Sequence, residues 1–229
     1  FFSFYLDRRN NLSLQWGLHE RYCMRYTQLL GKTLRKMPKQ VRSKGHALLH
    51  QGGYVRPIAQ GLYSYLPMGM KVVENMKRII REELDGLNGQ ELQIPMVNPY
   101  GMWKKGGRLE MVDKELVRFK DRGGRNLVLA PSHEEAMIEI ARTTLKSYRD
   151  LPLFVYEFQD KFRDEEKIGY GLVRTKEFLM KDAYSFHRSY TNLNNFFPKV
   201  YAAYQRIFKR MEVDVITAGR IVEPRAEQP

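Results

Sequence analysis

The residue types best suited to chemistry lie between Lys161 and His187, in the run KFRDEEKIGYGLVRTKEFLMKDAYSFH. Read with period two, the run makes two strands joined by a loop from Glu166 to Gly171, because successive strand side chains point to opposite faces of a sheet. On the first strand Gln159, Lys161, Arg163 and Glu165 then share a charged face, while Phe154, Tyr156, Phe158 and Phe162 share an apolar one. On the second, Arg174, Lys176, Phe178, Met180, Asp182 and Tyr184 stand together, with Leu179 and Ala183 behind. A guanidinium gives phosphate paired N–H donors, and an aromatic face stacks on a base. Two arginines, a lysine, two carboxylates and a ring on one sheet surface describe a site for an anionic, partly aromatic ligand.

The order Phe162-Arg163-Asp164-Glu165, a loop, then Arg174 with Phe178 four residues on resembles motif 2 of the class II aminoacyl-tRNA synthetases. The continuation TKEFLMKDAYSFH narrows the resemblance to prolyl-tRNA synthetases of the bacterial and organellar type. The resemblance implies that Arg163 grips the α-phosphate of ATP and is the residue most needed for catalysis. It implies further that Glu165 takes the adenine amine, Phe178 stacks on the base and Arg174 reaches the outer phosphates. In that family a Thr-x-Glu loop binds the imino group of proline, and the same slot here reads Ser132-His133-Glu134. Serine keeps the hydroxyl and loses the methyl, and a carboxylate at Glu134 suits a cationic nitrogen. Arg163, Met180, Asp182 and Tyr184 would line the rest of the proline pocket. His133 is given no role. Magnesium is implied with ATP, held mainly on substrate oxygens. Proline, ATP and tRNA(Pro) are the implied partners.

The elements that must position these groups are legible in outline. A short helix fits Ser43 to Gln51, and GGYVRPIAQGLYSYLP reads as loop and short strands. From Gly69 to Leu87, Val72, Val73, Met76, Ile79, Ile80, Leu84 and Leu87 recur at helical spacing after Pro67. Glu91 to Pro95 reads as a strand. A long helix feeding a strand that closes on proline resembles class II motif 1 and implies a homodimer, with Pro95 at its interface. Pro99 to Gly107 suggests a short helix holding Trp103, and ELVRFK with NLVLA flank the turn DRGGR as a hairpin. Ser132 and Glu135 match a capping box ahead of the stripe Met137, Ile140, Ala141, Thr144 and Leu145. Thr191 to Arg210 is helical, with a kink or a fresh start at Pro198, and EVDVIT at 212–217 is a strand.

The fold class is α+β, a mostly antiparallel sheet flanked by helices, with an incomplete class II catalytic core over 24–217. Motif 1 falls at about 66–99 and motif 2 at about 153–187. Motif 3, the anticodon-binding domain and the editing insertion do not appear, so the 229-residue piece is not expected to complete aminoacylation alone. Residues 1–23 carry no resemblance, which makes Met24 the expected natural start, and 218–229 read as a tail.

The net charge of +13 favours a polyanionic partner, since phosphate neutralisation dominates sequence-independent nucleic-acid affinity. Most of that excess is N-terminal, where residues 1–50 hold ten Lys and Arg against two acids. Cys23 is the one cysteine, so neither an intrachain disulfide nor a cysteine-rich zinc site can form. No apolar run approaches the roughly 18 residues that span a bilayer. The expected compartment is the cytoplasm, with a mitochondrion or plastid as the alternative for a basic N-terminus. Two rival readings are a non-catalytic synthetase-like paralogue that binds RNA or a partner, and a synthetase for another amino acid. An unrelated ATP-dependent enzyme would carry a phosphate loop, and no G-x-x-x-x-G-K-[ST] occurs.

Overall fold

The computed structural model describes residues 25–36, 43–107, 109 and 115–218. The expected start at Met24 and the tail beyond 218 lie outside them. The organising element is the antiparallel pair β7 (Leu153–Phe162) and β8 (Glu177–Phe186), matched residue for residue over ten positions from Leu153↔Phe186 to Phe162↔Glu177. Aromatic and aliphatic residues at alternate positions of β7 give both faces something to bury, and both faces are covered. On one face, α2 (Pro67–Asp85) and α5 (Tyr190–Arg210) enclose a core of Leu84, Phe154, Tyr156 and Ile207. On the other, α4 (Glu134–Thr144) closes over Val155, Ile94, Ala136 and Met137.

The remaining strands form two small sheets. A hairpin of β1 (Val55–Ala59) and β2 (Leu62–Tyr65) follows helix α1 (Lys44–Gln51). A three-stranded antiparallel sheet in the order β4 (Val97–Pro99), β6 (Asn126–Leu129), β5 (Arg118–Lys120) packs on α3 (Tyr100–Lys105), whose Trp103 is fully buried with Leu116, Val128 and Ala130. The expected helices, including the short one holding Trp103, and the hairpin about DRGGR are all present. β4 was not anticipated from its short, proline-closed sequence.

Two glycines set how closely these pieces approach. Gly69 in the first turn of α2 lies against the Tyr54 carbonyl, where a Cβ would stand 2.3 Å from the oxygen. Gly61 turns the β1–β2 hairpin at φ +75, and its carbonyl accepts the Lys176 N–H at 2.9 Å, tying the hairpin to the chain just before β8.

Several expectations need correction. The strand at Glu91 to Pro95 shrinks to β3 (Gln90–Glu91), parallel to β7, because the Ile94 N–H turns to the Glu157 carboxylate at 3.1 Å and Pro95 has no N–H to give. The connection between β7 and β8 runs from 163 to 176 rather than from 166 to 171. α5 continues unbroken through Pro198; the carbonyl that loses its partner belongs to exposed Asn194, where water can serve it. Phe197 and Tyr201, assigned to its apolar face, are exposed. Residues 212–217 form no strand: Val213, Val215 and Ile216 are exposed, and among the described residues nothing pairs with them. The capping box at Ser132 and Glu135 does not form either. His133 is the N-cap of α4 and makes no side-chain cap, while Glu134 and Glu135 in the first turn suit the helix dipole.

Candidate active site

The β7–β8 register brings Lys161 beside Phe178, Gln159 beside Met180, Glu157 beside Asp182 and Val155 beside Tyr184, all on one face. The period-two reading therefore assigned these faces correctly. It carried no information about what covers the face. Towards the middle it is roofed by the start of α4, and Glu157, Lys161 and His133 are fully buried.

At the upper end, beyond the ladder, the Arg163 N–H donates to the Lys176 carbonyl at 2.8 Å. Its guanidinium donates from Nε to the Pro131 carbonyl at 3.1 Å, and Cζ lies 5.3 Å from the centre of the Phe178 ring. Arg163, Phe178 and the loop entering Ser132 are thus neighbours. Arg174 and Glu165 are bonded to each other, with Nε and Nη2 at 2.9 and 2.5 Å from one carboxylate oxygen. That bond raises the Arg174 pKa further above its ordinary value. The side chain of Arg174 is 51% exposed, so water screens this pair and it can part for a ligand at small cost.

Below this surface lies a cluster the sequence did not disclose. The Lys161 ammonium sits 3.0 Å from Glu157 and 2.7 Å from Asp182 and also contacts His133 Nδ1. His133 Nδ1 in turn lies 2.7 Å from Glu157. Burial alone would push the Glu157 carboxyl up, but the hydrogen bonds from His133 and Lys161 outweigh it and hold the pKa below its ordinary value. His133, Glu157 and Asp182 could offer three metal-ligand atoms within 4.8 Å of one another. The Lys161 ammonium already supplies the cation among them, and a histidine-containing set does not suit magnesium, which wants oxygen ligands in octahedral array.

Of the remaining predicted pocket residues, Ser132 Oγ is buried and has no hydrogen-bond partner among the described residues. Tyr184 packs partly against the core of Val155 and Met137. Its phenol is pushed up by burial first, then by the charges of Asp182, Glu134 and Glu157. Met180 is half-buried on this face opposite Gln159. The Asp182 carboxylate on this face lies 2.7 Å from the Lys161 ammonium. The missed signal was Glu157 and Lys161 themselves, opposite charges two pleats apart on a strand otherwise rich in core residues.

Residues 117–226 match the tRNA synthetase class II core domain (G, H, P, S and T). The chain is 42% identical over 191 residues to the proline–tRNA ligase of Helicobacter hepaticus, covering 83% of this chain and 32% of the relative. It is 43% identical over 188 residues to that of Acidithiobacillus ferrooxidans, covering 82% and 33%. It therefore spans about a third of the length of the curated relatives it matches. Among solved structures, Giardia lamblia prolyl-tRNA synthetase in complex with prolyl-adenylate superposes with a TM-score of 0.64 at 22% identity, over 69% of this chain and 33% of that one. The Cryptosporidium parvum enzyme complexed with halofuginone and AMPPNP gives 0.64 at 17% identity, over 72% and 34%. The fold agrees with these: the chain carries a class II tRNA synthetase core domain over residues 117–226 and is similar in sequence to proline–tRNA ligases over about four-fifths of its length.

Proposed function

We propose that this chain carries the proline- and ATP-binding part of a proline–tRNA ligase. The observation that carries the reading is the meeting of Arg163, Phe178 and the Pro131–Ser132 backbone at the open end of the β7–β8 face. In the proposed reaction a carboxylate oxygen of proline attacks the α-phosphorus of ATP, the bond to the β-phosphate breaks, and pyrophosphate leaves. Transfer to tRNA(Pro) follows in the whole protein. No protein nucleophile is required, so the chain contributes position and charge. Arg163 compensates the charge that grows on the α-phosphate oxygens, and Phe178 stacks on adenine. Glu165 and Arg174 part from each other to take the adenine amine and the outer phosphates. Ser132 and Glu134 hold the imino nitrogen, with Met180, Asp182 and Tyr184 along the pocket wall. Magnesium travels on the nucleotide phosphates and neutralises their charge.

We also propose a homodimer through motif 1. Val72 and Met76, four residues apart and so on one side of α2, are each more than 40% exposed, which supports a partner on that face.

Two measurements test the function. The chain should bind a non-hydrolysable prolyl-adenylate mimic, a prolyl-sulfamoyl adenosine, by titration calorimetry. A chain extended through the remaining length of the relatives should exchange pyrophosphate into ATP with proline, and much less with threonine, serine or glycine. Failure of both would favour a non-catalytic paralogue.

A further inference from the structure

We propose that His133 is a positioning residue for proline recognition, holding Ser132 and Glu134 in register with the sheet through the buried Glu157–Lys161–Asp182 cluster. The inference rests on the proposed function and adds to it a residue for which the sequence suggested no role. Activation of a carboxylate by ATP needs no base or nucleophile here, and three of the four groups are sealed from solvent. Charges buried at such cost call for a purpose that reaches the ligand.

The connectivity supplies one. His133 lies in the chain between the two residues assigned to the imino group, and as the N-cap of α4 it fixes where that helix begins. Its imidazole is fastened at Nδ1 to Glu157 of β7, 2.7 Å away. Glu157 is held by Lys161, which reaches across to Asp182 of β8. The chain of contacts thus leaves the 132–134 loop at His133 and crosses both strands of the site. A loop pinned at its middle residue presents both neighbours at fixed height above the sheet. Ser132 Oγ, buried without a hydrogen-bond partner among the described residues, is then available to a ligand nitrogen.

A purely structural role would weaken every ligand alike, whereas a positioning role is selective. The test compares two probes on the 229-residue chain by titration calorimetry: prolyl-sulfamoyl adenosine, and sulfamoyl adenosine lacking the prolyl group. His133→Ala is expected to weaken the first by roughly tenfold or more, the scale of one buried charge-assisted hydrogen bond, and the second by less than about threefold. His133→Asn, whose amide can still donate to Glu157, is expected to recover most of the difference. Should His133→Ala fail to fold, Glu157→Gln takes its place and must show the same selective loss. Equal loss for both probes, or no loss for either, overturns the proposal. Wild-type chain that binds neither probe overturns the proposed function itself, so the two failures are distinct.

Discussion

Glu157 and Asp182 stand opposite one another across the β7–β8 ladder, and the Lys161 ammonium lies between them, 3.0 Å from the first and 2.7 Å from the second. Like charges directly opposed on a sheet repel. The lysine turns that repulsion into a bound cluster, and in doing so fastens both strands of the site to each other and to His133.

Removing that cation leaves two buried carboxylates without compensation. Lys161→Met is expected to cost about 3–5 kcal/mol in urea unfolding. Adding Glu157→Gln should recover part of the loss, and simple additivity of the two changes would contradict the cluster.

Glu157 makes stability depend on acid. Its pKa in the folded chain lies below the ordinary 4.5, so its contribution is complete above that value and disappears as pH falls through the lower folded value. The gap in stability between wild type and Glu157→Gln should therefore be widest near neutrality and shrink as pH falls below 4.5. A gap that widens on acidification would contradict the assignment.

Lys181 acts in the opposite sense. It points to the other face of β8, contacts Tyr204 and lines an apolar cavity of about 360 Å³ with Val72, Met76, Ile80, Phe158 and Leu179. Burial pushes its ammonium down to about 8, against the opposing pull of Asp182. Being harder to protonate folded than unfolded, it lowers stability below about pH 8, and the penalty lifts as pH rises toward 10.5. Lys181→Met should raise the urea midpoint at pH 7 and lose that advantage by pH 10. A variant weaker at pH 7 with the wild-type alkaline trend would refute this.

Ser132 offers a hydroxyl where the resemblance puts a threonine. Ser132→Ala should weaken binding of prolyl-sulfamoyl adenosine by about tenfold, the value of one hydrogen bond, while Ser132→Thr should bind within about threefold of wild type. Equal affinities for serine and alanine would remove the hydroxyl from the site.

The strands of the site and the faces of their side chains were legible because strand alternation is local: Phe178, Met180, Asp182 and Tyr184 fall where period two puts them. Burial was not legible, because it depends on the distant start of α4. In the sequence Lys161 looks like a solvated charge until His133 and Glu157 are brought over it. The capping box failed for the same reason, since the sheet's hold on His133 overrides the local preference of Ser132. At 212–217 alternation was present but among the described residues a partner strand was not, and a lone strand has no hydrogen bonds to gain.

Whether the open end of the β7–β8 face is an adenylate site governed by Arg163 is decided by titrating the chain and its Arg163→Ala variant with prolyl-sulfamoyl adenosine. Saturable one-site binding is expected of the wild type, with a loss of roughly a hundredfold or more in the variant, the scale of one preorganised donor to a charged group. Undiminished binding by Arg163→Ala would contradict that assignment.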